Sequence, residues 1–597
     1  MVAKTSVKKP EAKTHILPLP RSLYSTSNLF QEPSKKPTMA LSSLLFFSLL
    51  LLLLYTLQPT SGNILSSLFS SPTATRKSPS TAGEWRLLSS SIGIVAMHMQ
   101  LLPDNRLLTF DRTDFGLSNL TFRDCPYYFL DCTAHSLLFD ISMNTITPLP
   151  LQSDPWCSSA ALLPNGSLLQ TGGFNTGDRS VRLFSLSSLS WNEQPYSLAV
   201  RRWYASNQLM PDGTVIIVGG RREFNFEFYP PVQQYQLFDL PFLQETNDPD
   251  AENNLYPFLH LLPDGSLFIF ANTRSMVFDP LGRIAARSLP PIPGDMPRNY
   301  PSTGSSVLLP LRSEVPSRAE ILICGGAPRG AFQLALRNST YLPAISTCGR
   351  IVPTDPDPQW SMEEMPMGRV MGDMVILPTG EILIINGAAA GTAGWELAQD
   401  PVLNPVLYKP DHPAGYRFEV MNPSTIPRMY HSSAILDSFG RVLVGGSNPH
   451  VGYVFENVTY PTDLSLEAYL PPYLDASYEI MRPRRVRVGP PAEVGYGDMA
   501  FVRFAVDGGL QEGMAVEVVA IAPAFATHSV GMNQRMVVMP VMRLVQLSFR
   551  DYMAEVMAPP SPEVAPPGFY MWFVLHGGVP SRAVWVRIRQ SGAFPNF

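Results

Sequence analysis

Three side chains able to bind a metal or carry redox chemistry stand at one phase of an internal repeat. Fifteen residues before the first glycine of Gly172-Gly173, Gly219-Gly220 and Gly445-Gly446 are Cys157, Tyr204 and Tyr430, the last followed by His431. Phenol oxygen and imidazole nitrogen together suit copper, because Cu(II) accepts mixed N,O sets in tetragonal geometry. Zinc more often shows Cys/His clusters at short spacing, which this sequence lacks. It also has no P-loop, dinucleotide-binding glycine fingerprint or G-x-S-x-G nucleophile elbow. Tyr256 stands at the same phase, counted from Ala271, so phase alone leaves simple rim packing open for these tyrosines.

The elements that position these residues are hairpins. The recurring pattern is two apolar residues, a Pro-Asp/Asn-Gly turn and an apolar strand ending in Gly-Gly. It reads LLPDNRLLTFD at 101, LLPNGSLLQTGG at 162, LMPDGTVIIVGG at 209 and LLPDGSLFIFAN at 261. Degenerate copies follow at 308, 376 and 435. Each copy predicts two strands joined by a tight turn. Repeats of about 50 residues of this form build one four-stranded propeller blade each, whereas solenoid repeats are much shorter. Seven copies predict an all-β fold with a seven-bladed kelch-type β-propeller over 84–462. Equivalent positions then lie at similar height around the central axis, and a metal there can collect ligands distant in sequence. From 463 to 597 the repeat stops. Short strand-like runs broken by Pro and Gly predict an immunoglobulin-like β-sandwich. His528, in APAFATHSVGMNQRM, lies on a Pro-bounded segment that could plug the propeller channel.

The chain is too long for one core, at 597 residues. Its net charge is −5, yet residues 1–38 hold seven Lys/Arg against Glu11 and Glu32. The body is therefore more acidic than the whole and a poor binder of nucleic acid. The basic leader 1–38 precedes an almost wholly apolar stretch, 39–57. This is read as the h-region of a signal peptide or, alternatively, as a retained signal anchor with the body lumenal or extracellular. Residues 58–83 form a Ser/Pro-rich linker. Secretion to the cell exterior or wall is expected, with membrane association only if the apolar segment is retained. Sequons at Asn119, Asn165, Asn338 and Asn457 suit a glycoprotein. In an oxidising compartment, Cys125–Cys132 and Cys324–Cys348 are plausible local disulfides. Cys157 is then left over, either as an inert buried thiol or as a functional one.

The segments WCSSAALLPNGSLLQTGGFNTGDRSVRLF, RRWYASNQLMPDGTVIIVGG, NNLYPFLHLLPDGSLFIFAN, IPRMYHSSAI, DLSLEAYLPPYL and THSVGMNQRM resemble plant glyoxal oxidases, aldehyde oxidases of the copper-radical class. They resemble fungal galactose oxidase more distantly. The resemblance covers nearly everything from about residue 86 onward. It implies one copper per chain, held by Tyr204, Tyr430, His431 and His528. It also implies a Cys157–Tyr204 thioether that serves as a one-electron cofactor, with Tyr430 as the axial ligand that takes the substrate proton. His528 enters the site through this resemblance alone. The implied activity is oxidation of small aldehydes to acids, with O2 reduced to hydrogen peroxide, in a chain expected to be monomeric.

One departure separates the chain from galactose oxidase, which stacks a tryptophan over the cross-linked tyrosine from the loop after the third repeat. Here that loop reads GGRREFNFEFYP, so Arg221, Arg222, Phe224 or Phe226 is expected to line the space. This favours a small carbonyl substrate. A primary-alcohol or galactose-type oxidase on the same core, and a catalytically silent propeller binding glycan or protein, are the competing readings.

Overall fold

In the computed structural model, residues 82–590 are described, apart from 126–130, 232, 281, 283 and 313–316. The leader 1–38, the apolar stretch 39–57 and nearly all of the linker lie outside the described residues. Among the described residues, no helix is long and apolar enough to cross a membrane.

Among the described residues, seven blades of four antiparallel strands form the propeller, six as separate sheets and the first within a six-stranded sheet. The innermost strands, such as His98–Leu101, Ser159–Leu162, Ala205–Leu209 and Ser432–Leu436, are buried along their whole length. The turns carry the expected chemistry. Asp212 accepts from the backbone N–H and hydroxyl of Thr214 at 2.9 and 2.6 Å, and Asp264 does the same for Ser266. The seventh blade is closed by strands from both ends of the propeller segment. Glu84–Ser89 supplies its outermost strand, pairing with Leu466–Leu470. That third strand runs beyond residue 462, where the repeat pattern alone ends the propeller, because DLSLEAYL carries no Gly-Gly signature.

Glycine is required where blades meet. Gly172 has φ +72°, and a Cβ there would collide with the Arg202 carbonyl. A buried arginine secures five of the corners. Arg182, Arg202, Arg298 and Arg428 donate to the carbonyls of Gly172, Gly219, Gly325 and Gly446 at 2.6–2.8 Å, and Arg369 donates to that of Asn386. Glu227 pairs with Arg202 at 2.8 Å and Glu467 with Arg428 at 2.7 Å, offsetting the cost of burying these cations.

Beyond the propeller, two sheets face each other. One contains Arg484–Val488, Met499–Ala505, Asp551–Met557 and Val541–Gln546. The other contains Arg535–Met539, Val516–Ala522, Gly568–His576 and Val584–Ile588. Leu311–Arg312 of the fifth blade joins the second sheet through Arg535–Met539. The hairpin Phe525–Thr527/Val530–Met532 leaves the sandwich and pairs with the inner strand of the first blade, Gln100 to Phe525 and His98 to Thr527. Asn533 and Gln534 anchor its base. The Asn533 side-chain oxygen accepts from the Leu209 N–H at 2.7 Å, and that of Gln534 accepts from the Ile376 N–H at 2.8 Å. The sandwich thus sends a plug into the propeller channel. Both expected disulfides are formed, and Cys157 is a free, buried thiol.

Candidate active site

Cys157, Tyr204, Tyr430, His431 and His528 converge where the hairpin tip meets the inner rim, and all five are buried. His528 Nε2 lies 3.2 Å from Cys157 Sγ, and Thr527 Oγ1 lies 2.7 Å from His528 Nδ1. The His528 ring is 5.1 Å from that of His431, 5.8 Å from Tyr430 and 6.2 Å from Tyr204, centre to centre. Tyr430 and His431 stack at 3.9 Å.

Strained backbone aims these side chains. Cys157, Tyr204, His431 and His528 have φ of 55°, 66°, 63° and 45°. Left-handed non-glycine residues cost on the order of 1 kcal/mol each and cluster at functional sites. His528 and Ser529 (φ 68°) form the two-residue loop of the plug hairpin. Positive φ at both loop positions is the pattern of a type I′ turn, which Asn-Gly would fill more cheaply.

The register corrects one step of the phase count. Ser432 pairs with Gly446 as Ala205 pairs with Gly219, so Gly446, not Gly445, is the equivalent corner. Fifteen residues before it stands His431. Tyr430 lies one position earlier, matching Trp203. Three residues lie between Arg428 and the strand at Ser432, against two between Arg202 and Ala205, and this extra residue gives the seventh blade two adjacent side chains in the site. Tyr256 shares the left-handed conformation (φ 51°), but its hydroxyl donates to the Ser158 carbonyl at 3.0 Å.

Of the four residues expected beside Tyr204, the two phenylalanines lie elsewhere, whereas Arg221 and Arg222 wall the cavity beside Trp203. Phe226 is buried among Phe228, Phe238 and Phe278, and Phe224 packs against that same cluster. The Arg221 guanidinium lies 5.4 Å from the Trp203 ring and pairs with Glu252, and Arg222 is exposed. The rings beside Tyr204 are Tyr300, at 4.5 Å and 31°, and Trp203, at 4.8 Å and 39°. Alternation along a strand puts neighbours on opposite faces, but the left-handed turn at Tyr204 brings Trp203 to the same side. Sequence reasoning also missed Tyr300. Its hydroxyl lies 2.7 Å from that of Tyr430 and 3.3 Å from that of Tyr204. The fifth hairpin is longer than the others, so the glycine ruler misses it. The recurrent Arg-x-Tyr of Arg202-Trp203-Tyr204, Arg298-Asn299-Tyr300 and Arg428-Met429-Tyr430 would have found it.

Burial pushes both imidazoles well below the usual histidine range, His431 further by His528 and His528 further by His98. They are free bases with available lone pairs. Burial likewise holds the Cys157 thiol and the Tyr204 and Tyr430 hydroxyls well above their ordinary values. A divalent cation would reverse that preference for the phenols. Among the described residues, neither ring nitrogen of His431 has a hydrogen-bond partner, although the residue is 2% exposed. Such orphaned atoms fit a metal ligand. No cluster of three or more His, Cys, Asp or Glu able to hold a metal occurs among the described residues, so a cation here must draw on tyrosine oxygens. Two imidazoles and two phenols are a donor set suited to copper. A cavity of about 420 Å³ opens beside Trp203, walled by Phe174, Arg201, Arg221 and Arg222 among others.

Comparison with known proteins identifies the family. Residues 97–473 match the family described as glyoxal oxidase N-terminus, and 482–588 the galactose oxidase-like, early set domain. Aldehyde oxidase GLOX1 of Arabidopsis thaliana is 43% identical over 525 residues, 85% of this chain and 84% of that one. Aldehyde oxidase GLOX of Vitis pseudoreticulata is 45% identical over 519 residues, covering 85% and 97%. A galactose oxidase of Gibberella zeae is 25% identical over 483 residues, covering 75% and 63%. A fungal alcohol oxidase solved with copper shares the fold at a TM-score of 0.65 and 17% identity, covering 85% of this chain and 99% of that one. By its propeller, its early set domain and its identity to plant relatives over most of its length, the chain belongs to the glyoxal oxidase family of copper-radical oxidases.

Proposed function

We propose that the chain is a secreted copper-radical aldehyde oxidase that converts small aldehydes of the glyoxal or methylglyoxal kind to carboxylic acids, reducing O2 to H2O2. The observation that carries this reading is the convergence of Cys157, Tyr204, Tyr430, His431 and His528 on one buried point, with both His431 nitrogens unpartnered. Tyr204, Tyr430, His431 and His528 would hold one copper. The ion would supply Lewis acidity and the second one-electron acceptor that a two-electron oxidation needs. Cys157 and Tyr204 would be joined by a thioether, formed as the thiol S–H and a ring C–H are lost and O2 takes up the two hydrogens as H2O2; the bond delocalises the unpaired electron when the phenol is oxidised. The reaction is RCH(OH)2 + O2 → RCOOH + H2O2. Tyr430 takes the hydroxyl proton of the hydrated aldehyde as general base. The oxidised Tyr204 oxygen takes the hydrogen atom from carbon. Burial keeps water from quenching the radical, and the arginine-walled cavity beside Trp203 is the approach for a polar carbonyl substrate.

The test is peptide mass mapping after copper loading, together with a peroxide assay on methylglyoxal, glycerol and galactose. A Cys157–Tyr204 peptide lacking two hydrogens, with peroxide formed fastest on the aldehyde, is the expected result. Unmodified separate peptides and no peroxide would refute the reading. Peroxide formed fastest on an alcohol would reassign the substrate.

A further inference from the structure

We propose that Tyr300 is a specificity-determining residue of this site, whose hydroxyl holds the second hydroxyl of a carbonyl hydrate. The inference deepens the aldehyde-oxidase reading and rests on it. Three phenol oxygens converge here. The Tyr300 oxygen is the central one, 2.7 Å from Tyr430 and 3.3 Å from Tyr204. Its ring lies 4.5 Å from that of Tyr204. Tyr204 and Tyr430 are buried, whereas Tyr300 is half-buried.

The backbone around Tyr300 is held from several directions. Buried Arg298 donates to the Gly325 and Thr347 carbonyls at 2.7 and 3.0 Å. The Asn299 side chain donates to the Tyr256 carbonyl at 3.0 Å and accepts from the Asn272 N–H at 2.9 Å. The Pro301 carbonyl accepts from Thr392 Oγ1 at 2.6 Å and from the Ala393 N–H at 3.0 Å. A hydroxyl on so fixed a frame is a preorganised donor and acceptor.

A hydrated aldehyde carries two hydroxyls on one carbon, and a primary alcohol carries one. One hydroxyl of the hydrate must meet Tyr430 to lose its proton. The other then has a partner in Tyr300, which already lies within hydrogen-bond distance of Tyr430. A site built to hydrogen-bond a substrate hydroxyl discriminates against analogues that lack it. Tyr300 thereby selects hydrates, and hence aldehyde over alcohol oxidation.

The experiment compares copper-loaded wild-type protein with Tyr300→Phe, which keeps the ring against Tyr204. Calorimetry measures binding of 1,1,1-trifluoroacetone, which stands in water as its hydrate and has no carbinol hydrogen to lose. Azide, which has no second hydroxyl, is the control ligand. Tyr300→Phe should weaken the ketone hydrate about tenfold and azide less than about twofold, and should lower kcat/KM for methylglyoxal about tenfold. Cross-link formation and the urea midpoint check that the site and fold are intact. Equal changes for both ligands, or no change in either, would overturn the role of Tyr300 while leaving the oxidase reading standing. A wild-type protein that takes up no copper and forms no cross-link would overturn both.

Discussion

The Cys157 sulfur lies 3.2 Å from Nε2 of His528, although 371 residues separate them along the chain. Cys157 belongs to the second blade, and His528 to a hairpin that the sandwich inserts down the propeller axis. The site is therefore shared by two domains, and its geometry depends on the register with which the plug pairs against the first blade.

His431 should be needed for metal and dispensable for folding. Both ring nitrogens are buried without partners, so His431→Ala removes two unsatisfied atoms along with the ring. Copper affinity should fall by about 100-fold or more, read by competition with a chelator. The apo-protein midpoint in urea should move far less than an ordinary large core deletion would require.

Ser529→Val should damage the site from outside it. Ser529 sits at φ 68° in the two-residue loop, and a β-branched side chain is strongly disfavoured there. Stability should fall by about 1–2 kcal/mol in urea unfolding. Copper affinity should fall too, because His528 is the other loop residue. Ser529→Gly should preserve both.

Gly172→Ala should be more disruptive than its size suggests. The residue has φ +72°, and its Cβ would strike the Arg202 carbonyl, two residues before Tyr204. A loss of about 2–3 kcal/mol is expected, with cross-link yield reduced in the same samples by mass mapping.

Removing Cys324–Cys348 should cost stability without touching the chemistry. The bridge links directly opposed residues of neighbouring strands in the fifth blade and closes a loop with a sequence separation of 24. The double alanine variant should be less stable by about 3 kcal/mol. Its turnover at 25 °C should match wild type, since neither cysteine enters the site.

Features written locally are legible from the residues alone. The turn residues and closing glycines specify the hairpins, their number specifies the blades, and an odd cysteine at the repeat phase points to Cys157. Tyr204 is legible for the same reason, since a fixed count from a glycine corner is a fixed position on a rigid blade. Tertiary structure decided the rest. The repeat count placed Tyr430 where the register places His431, because one extra residue after Arg428 shifts the strand. The loop after the third repeat offers Arg221, Arg222, Phe224 or Phe226 beside Tyr204, where the rings of Trp203 and Tyr300 lie, because alternation fails at a left-handed residue. The repeat count passed over Tyr300, because a long hairpin in the fifth copy breaks the ruler. His528 has no local signal at all. Its position comes from a plug whose pairing partner, the strand His98–Leu101, lies more than 400 residues earlier, and only closing the propeller around that plug brings the two together.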